Sequence, residues 1–125
     1  MQANARDLMI RLVLGVLSGL AMALAAYLLI APDVGPPPTV PFQDKFFHAV
    51  AFAGLTGPAV LVLPRRYIAF WLAHMIALAG GIEIVQSLGS TERSGSVLDF
   101  LADLVGILVA LGIGRAIRSR LEAKP

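Results

Sequence analysis

The chain has 125 residues, room for one domain, of which 58% are apolar and only 14% charged, against roughly 45–50% and 25% in soluble domains. A water-soluble fold this small leaves a large fraction of its surface exposed and has nowhere to hide that much apolar area, so the bilayer is the solvent. The lack of cysteine excludes disulfides, thiolate metal sites and cysteine nucleophiles, and the net charge of +2 raises a nucleic-acid partner that the placement of the basic residues removes.

Residues 12–31 contain no charge, and at 1.5 Å per residue they cross the roughly 30 Å of a bilayer's hydrocarbon. Arg6 and Arg11 ahead of this run resemble the start of a signal peptide. Signal h-regions, however, run about 7–15 residues and end at a small-residue cleavage site, whereas here Ala23 to Ala25 lie inside the run and Leu28-Leu29-Ile30 follows. An uncleaved first span is expected. The chain then passes through Gly35-Pro36-Pro37-Pro38, a stiff connector. Further apolar runs follow at 46–63, 67–88 and 97–117, separated by short breaks that join antiparallel neighbours. Pro58 inside the second run removes a backbone bond to Gly54 and predicts a kink. The expected fold is all-α, a membrane-spanning bundle of four helices that makes residues 1–125 a single transmembrane domain.

Small residues recur four apart in every span: Gly15, Gly19 and Ala23; Ala49, Ala53 and Gly57; Ala69, Ala73, Ala77 and Gly81; Ala102, Gly106, Ala110 and Gly114. Such ridges let helix backbones approach closely in lipid, which predicts helix contact along each. Orientation follows from the basic residues. Arg6, Arg11, Arg65, Arg66, Arg115, Arg118, Arg120 and Lys124 fall on one side of the alternating spans, and Lys45 and Arg93 on the other. Short cytoplasmic loops hold the excess, so both termini are expected in the cytoplasm. The basic residues are thereby explained as topology signals and lipid-headgroup contacts, and no nucleic-acid partner is expected.

A second set of ionisable groups gathers at the extracytoplasmic ends of three helices, with His74 elsewhere. Asp44 and His48 share a face of the second helix, near Lys45; Glu83 and Gln86 share one on the third; Asp99 and Asp103 share one on the fourth, with Arg93 in the loop before it. Glu83 lies about 7 Å and Asp103 about 9 Å inside their helix ends. Carboxylates facing lipid there are costly, so these groups are expected to point into the bundle and toward one another. Three negative charges converging beside Lys45, Arg93 and His48 leave at least one of Glu83, Asp99 and Asp103 protonated near neutral pH, with Asp103 the deepest. Asp103→Asn is therefore expected to fold and work nearly as the parent, and Glu83→Gln or Arg93→Ala to be damaging. His74, on the opposite face of its helix, is expected to bond a neighbouring helix.

The series Asp44-Lys45-x-x-His48-x-x-x-Phe52, Glu83-x-x-Gln86, Arg93 and Asp99-x-x-x-Asp103-x-x-Gly106 resembles the VanZ-like family of small bacterial membrane proteins, over region 44–106. The resemblance implies a four-helix, multi-pass protein of the bacterial cytoplasmic or inner membrane with a role in the cell envelope. The family's namesake is associated with low-level resistance to the glycopeptide teicoplanin, and no reaction is established for the family. Many members carry Asn where this chain has Asp103, and often a second glycine where it has Ala110.

Four function classes follow. The first is a non-enzymatic envelope protein that binds a lipid-linked or glycopeptide-like molecule at an extracytoplasmic pocket formed by Asp44, Lys45, His48, Glu83, Gln86, Arg93, Asp99 and Asp103, with membrane lipid around it and an oligomer left open. The second is an intramembrane enzyme on an envelope lipid or phosphate ester, with Glu83 or Asp99 as base, His48 as acid or base and Arg93 holding an anionic group. No nucleophile stands in a known catalytic spacing: Ser87, Ser90, Ser94 and Ser96 form no such pattern. A metal held by His48, Glu83 and Asp103 is compatible with the residue types, but no H-E-x-x-H or similar motif is present, and no metal or cofactor is expected. The third class is a proton-coupled transporter, for which acids at one end only give no continuous relay across the membrane unless the protein oligomerises. The fourth is a structural protein whose ion network only fixes helix packing.

Single cysteines at Gly35 and Ser90 should react with a membrane-impermeant thiol reagent in intact cells, and one at Arg66 should not. Labelling at Arg66 without labelling at Ser90 inverts the topology.

Overall fold

The computed structural model describes residues 4–30, 39–89 and 95–123. The proline-rich connector, Asp33, Glu92 and Arg93 lie outside the described residues. Four helices account for nearly everything described: α1 (Ala5–Ile30), α2 (Gln43–Val62), α3 (Arg65–Leu88) and α4 (Val97–Glu122). Each is long and apolar enough to cross a membrane, the architecture of a multi-pass membrane protein. The helices outrun the apolar runs, most at α1, which starts at Ala5, and at α4, which continues to Glu122. Helical backbone satisfies its own hydrogen bonds, so it continues from hydrocarbon into the headgroup layer as the side chains turn polar. α2 is continuous through Pro58, which faces outward.

The outer surface carries the apolar load. Leu12, Val16, Leu20, Phe70, Ile84, Leu108 and Ile113 are all more than half exposed, a coverage that suits lipid and would aggregate in water. Inside, Ala21, Phe52, Ala59, Leu63, Met75 and Ala79 have no exposed surface. α1 touches α2 and α3, and α4 touches the same two; among the described residues α1 and α4 do not meet.

The closest pair is α2 with α4. A Cβ added at Gly106 would collide with the Ala49 carbonyl group and lie 2.9 Å from its Cα, so the two backbones are in direct contact there. Two turns on, Gly114 receives the Val60 side chain, whose Cγ1 would be 2.8 Å from a Cβ at that position. Asp103, Gly106, Ala110 and Gly114 form the buried stripe that makes this seam. The expectation of a small-residue seam along every helix is corrected for α1 and α3. Gly15, Gly19 and Ala23 are exposed on α1, as are Ala69, Ala73 and Ala77 on α3. Those helices turn other stripes inward: Leu17, Ala21 and Ala25 from α1, and Ile68, Trp71, Met75 and Ala79 from α3. His74 also departs from expectation: its Nε2 is buried without a partner among the described residues, and its ring lies 5.8 Å from that of Trp71.

Both described chain ends lie at the same end of the bundle as the α2–α3 turn. Arg65 Nη2 donates to Glu122 Oε2 at 2.7 Å, and Asn4, Arg6 and Arg66 share the lining of one polar cavity of about 360 Å³. Arg118 Nη1 donates to the carbonyls of Leu63 at 2.6 Å and Val60 at 3.2 Å. It thereby satisfies acceptors that the end of α2 leaves without helical partners.

Gly106→Ala should lower stability by about 1–3 kcal/mol, because a methyl group meets backbone that has nowhere to move. Gly112→Ala, where an added Cβ has no neighbour within 4 Å, should be nearly neutral. Thermal unfolding of the two purified variants in detergent gives the comparison, and equal Tm values would refute the seam.

Candidate functional site

The end of the bundle away from the termini holds the polar groups. α2 starts after a sharp turn in which Phe42 takes a left-handed conformation, φ 64°, and the Thr39 N–H donates to Gln43 Oε1 at 3.2 Å. This turn sets the first two turns of α2, with Asp44, Lys45 and His48, beside the start of α4. The Gly106–Ala49 contact then fixes the height at which they meet α4, since Ala49 follows His48 and Asp103 lies three residues before Gly106.

Two layers result. In the outer one, Lys45 Nζ forms an ion pair with Asp99 Oδ1 across the helix pair, the atoms 2.8 Å apart, and also pairs with Asp44. Asp44 remains on the exterior, its side chain 56% exposed, so it neutralises Lys45 without entering the interior. One turn deeper, His48 Nδ1 and Asp103 Oδ1 share a hydrogen bond of 2.9 Å. Asp103 is fully buried. Glu83 reaches the same layer from α3, and one potential ligand atom from each of His48, Glu83 and Asp103 lies within 4.8 Å of the other two. Gln86, also buried, lies one turn along α3.

Glu83 is held by the start of α4. Its Oε2 accepts a 2.6 Å hydrogen bond from the backbone N–H of Ser96, the residue at which α4 begins, while Ser87 Oγ donates to the Glu83 carbonyl at 2.7 Å. A carboxylate at a helix N-terminus is favoured by the amide dipoles there. Gly95 completes the arrangement, since a Cβ on it would collide with Ser87 Oγ and the Glu83 carbonyl. Each of Glu83 and Asp103 keeps one further oxygen, Oε1 and Oδ2, buried with no hydrogen-bond partner among the described residues.

The inward convergence expected for Glu83 and Asp103 is present, joined by His48. Asp99 belongs instead to the Lys45 layer, and Arg93 lies outside the described residues. Sequence reasoning did not single out Gly95 and Ser96. A signal existed in Ser96-Val97-Leu98-Asp99, whose spacing is that of a helix-start capping box. Ser96 makes no side-chain cap, and Glu83 from another helix takes its backbone N–H.

The chemistry open to this arrangement follows from its charges. Asp44, Glu83, Asp99 and Asp103 outnumber Lys45 and the titratable His48 among the described residues, so the site suits donors and cations better than bare anions. No family model matches the chain, and neither curated proteins nor solved structures give a significant match to it.

Proposed function

We propose that the chain is a VanZ-like protein of the bacterial cell envelope, with both termini cytoplasmic. In this reading its polar cluster binds a lipid-linked or glycopeptide-like molecule from the extracytoplasmic side. The family reading rests on the ordered polar residues from Asp44 to Gly106. The observation that supports binding is the pair of buried, unpartnered carboxylate oxygens on Glu83 and Asp103, facing a site built by three helices. A cluster whose only task was to fix helix register would be expected to satisfy its own members, because an unpaired buried acceptor costs about 1–3 kcal/mol. Sugar hydroxyls and amines, which glycolipids and glycopeptides carry in quantity, are the donors that excess carboxylate oxygens accept.

An intramembrane enzyme is the second reading, and the His48–Asp103 pair favours it, since a histidine oriented by a buried carboxylate is the usual form of a general base. Asp99 is less suited to that role than the sequence suggests, because Lys45 already holds it.

Native mass spectrometry of the purified protein should find a co-purifying glycolipid that Glu83→Gln lacks, with the variant inserted and within a few degrees of the parent Tm. Glutamine keeps the acceptor for Ser96 and removes the charge. If parent and variant carry the same bulk phospholipids, or if the variant loses abundance and Tm together with its ligand, the cluster is structural.

A further inference from the structure

The deep layer poses a problem of electrostatics. Asp103 has no exposed surface and Glu83 only 8%, yet each presents an oxygen that no described group donates to. Desolvated carboxylate oxygens without donors or cations are expensive, and the cost is greatest in a protein surrounded by lipid. Lys45, the one described Lys or Arg at this end, is already engaged by Asp44 and Asp99. A proton shared between the two carboxyls would partner both oxygens, at the cost of keeping one acid neutral, and would leave His48 outside the arrangement. A divalent cation serves both at once, and with two carboxylates and a neutral imidazole the assembly has no net charge.

We propose that His48, Glu83 and Asp103 form a binding site for a divalent transition-metal ion, with zinc as the ion that fits the donor set. This rests on the reading of the cluster as a binding site and names what it holds first. Zinc accepts imidazole nitrogen and carboxylate oxygen at about 2.0–2.2 Å, commonly with three protein ligands and a fourth position for water or substrate. Ligand atoms around such an ion lie about 3.4 Å apart, from those bond lengths and tetrahedral angles. Atoms as far as 4.8 Å apart here therefore need to close by up to about 1.4 Å, a reach that side-chain torsions of Glu83 and His48 supply. Magnesium and calcium favour sites with more oxygens and bound waters than a buried histidine and two acids offer.

The surroundings match what metal sites require beyond their ligands. The Ser96 N–H fixes Glu83 through Oε2 and leaves Oε1 for the ion, an outer contact of the kind that orients ligating carboxylates. The His48–Asp103 hydrogen bond holds two of the ligands side by side, and the proton between them is the one a binding cation displaces. The absence of a short sequence motif has a simple cause. The three ligands come one from each of α2, α3 and α4, so no stretch of sequence contains two of them at helical spacing. The site also explains how a carboxylate-rich cluster could take an anionic headgroup, which would reach the ion through the fourth position.

The test uses the full-length protein in detergent, with any affinity tag removed and metals stripped with EDTA. Zinc added back should bind at one ion per chain by elemental analysis after desalting. Calorimetry should show the affinity lowered by at least ~10–100-fold in Asp103→Asn and Glu83→Gln, the loss that even outer-shell changes cause. Asp103→Asn should keep the parent Tm after EDTA treatment, since the amide still accepts from His48. The near-silence expected of that change from the sequence then holds for folding and fails for metal. Cobalt added to the stripped parent should give visible d–d absorption bands of a nitrogen- and oxygen-ligated ion, a readout that needs no variant to fold. Zinc uptake that is equal in parent and both variants, or a parent with neither zinc uptake nor cobalt bands, overturns the site. Repeating the lipid inventory with and without zinc separates the two proposals. A glycolipid retained without zinc uptake defeats the metal and leaves the binding reading, and zinc uptake with no ligand does the reverse.

Discussion

The contact on which the rest of the molecule depends is that of α2 and α4 at Gly106 and Ala49. Lipid provides no hydrophobic force to press helices together, so association relies on close packing and on polar bonds across the seam. A glycine at the crossing lets backbone meet backbone, and the polar partners then fall into reach on the distal side: His48 with Asp103, Lys45 with Asp99. At the other end Arg118 ties α4 to the last carbonyls of α2. The seam is thus closed by sterics in the middle and by hydrogen bonds at both ends. α3 adds Glu83 through its grip on Ser96, and α1 completes the apolar wall from the far side, without touching α4 among the described residues.

Much of this was legible in the sequence because a bilayer imposes few and strong rules. Four apolar runs of sufficient length leave little choice of element, and the cost of a charge in hydrocarbon forces Glu83 and Asp103 inward whatever their partners. Less legible was which face of each helix does the packing. The ridges of α1 and α3 have the same four-residue spacing as that of α4, yet only α4's lies in a seam with α2, because alanine is too common in such helices for spacing to discriminate. Nor does spacing reveal pairing across helices. Asp99 and Asp103 share one face of α4 but bond to different residues of α2, since one turn of helix moves a side chain from the Lys45 level to the His48 level. The role of Ser96 is that of a backbone amide, and nothing in a residue's identity announces where its N–H will be needed.

The two layers differ in how they balance charge. The outer one is a three-membered network in which Lys45 serves two carboxylates and one of them, Asp44, remains solvated; networks of this kind add modest stability and are weakened by salt. The inner one is buried and carries two carboxylates against a histidine. A buried network with unsatisfied members contributes less to stability than an apolar core of the same volume. Retaining one under lipid is a stability cost, of the sort that binding sites commonly carry.

The sequence separation of the seam has a consequence for how the protein is made. His48 and Asp103 are 55 residues apart, with the whole of α3 between them. At synthesis rates of about 5–20 residues per second, Asp103 leaves the ribosome roughly 3–11 s after His48. For that interval α2 is in or beside the insertion machinery with Lys45, His48 and its glycine-facing groove uncovered. α3 inserts next, yet it supplies neither the cross-helix partner of Lys45, Asp99, nor the hydrogen-bond partner of His48, Asp103. Assembly is therefore completed only by the last helix, and a chain stalled before α4 presents polar groups to lipid, a form that membrane quality control can recognise.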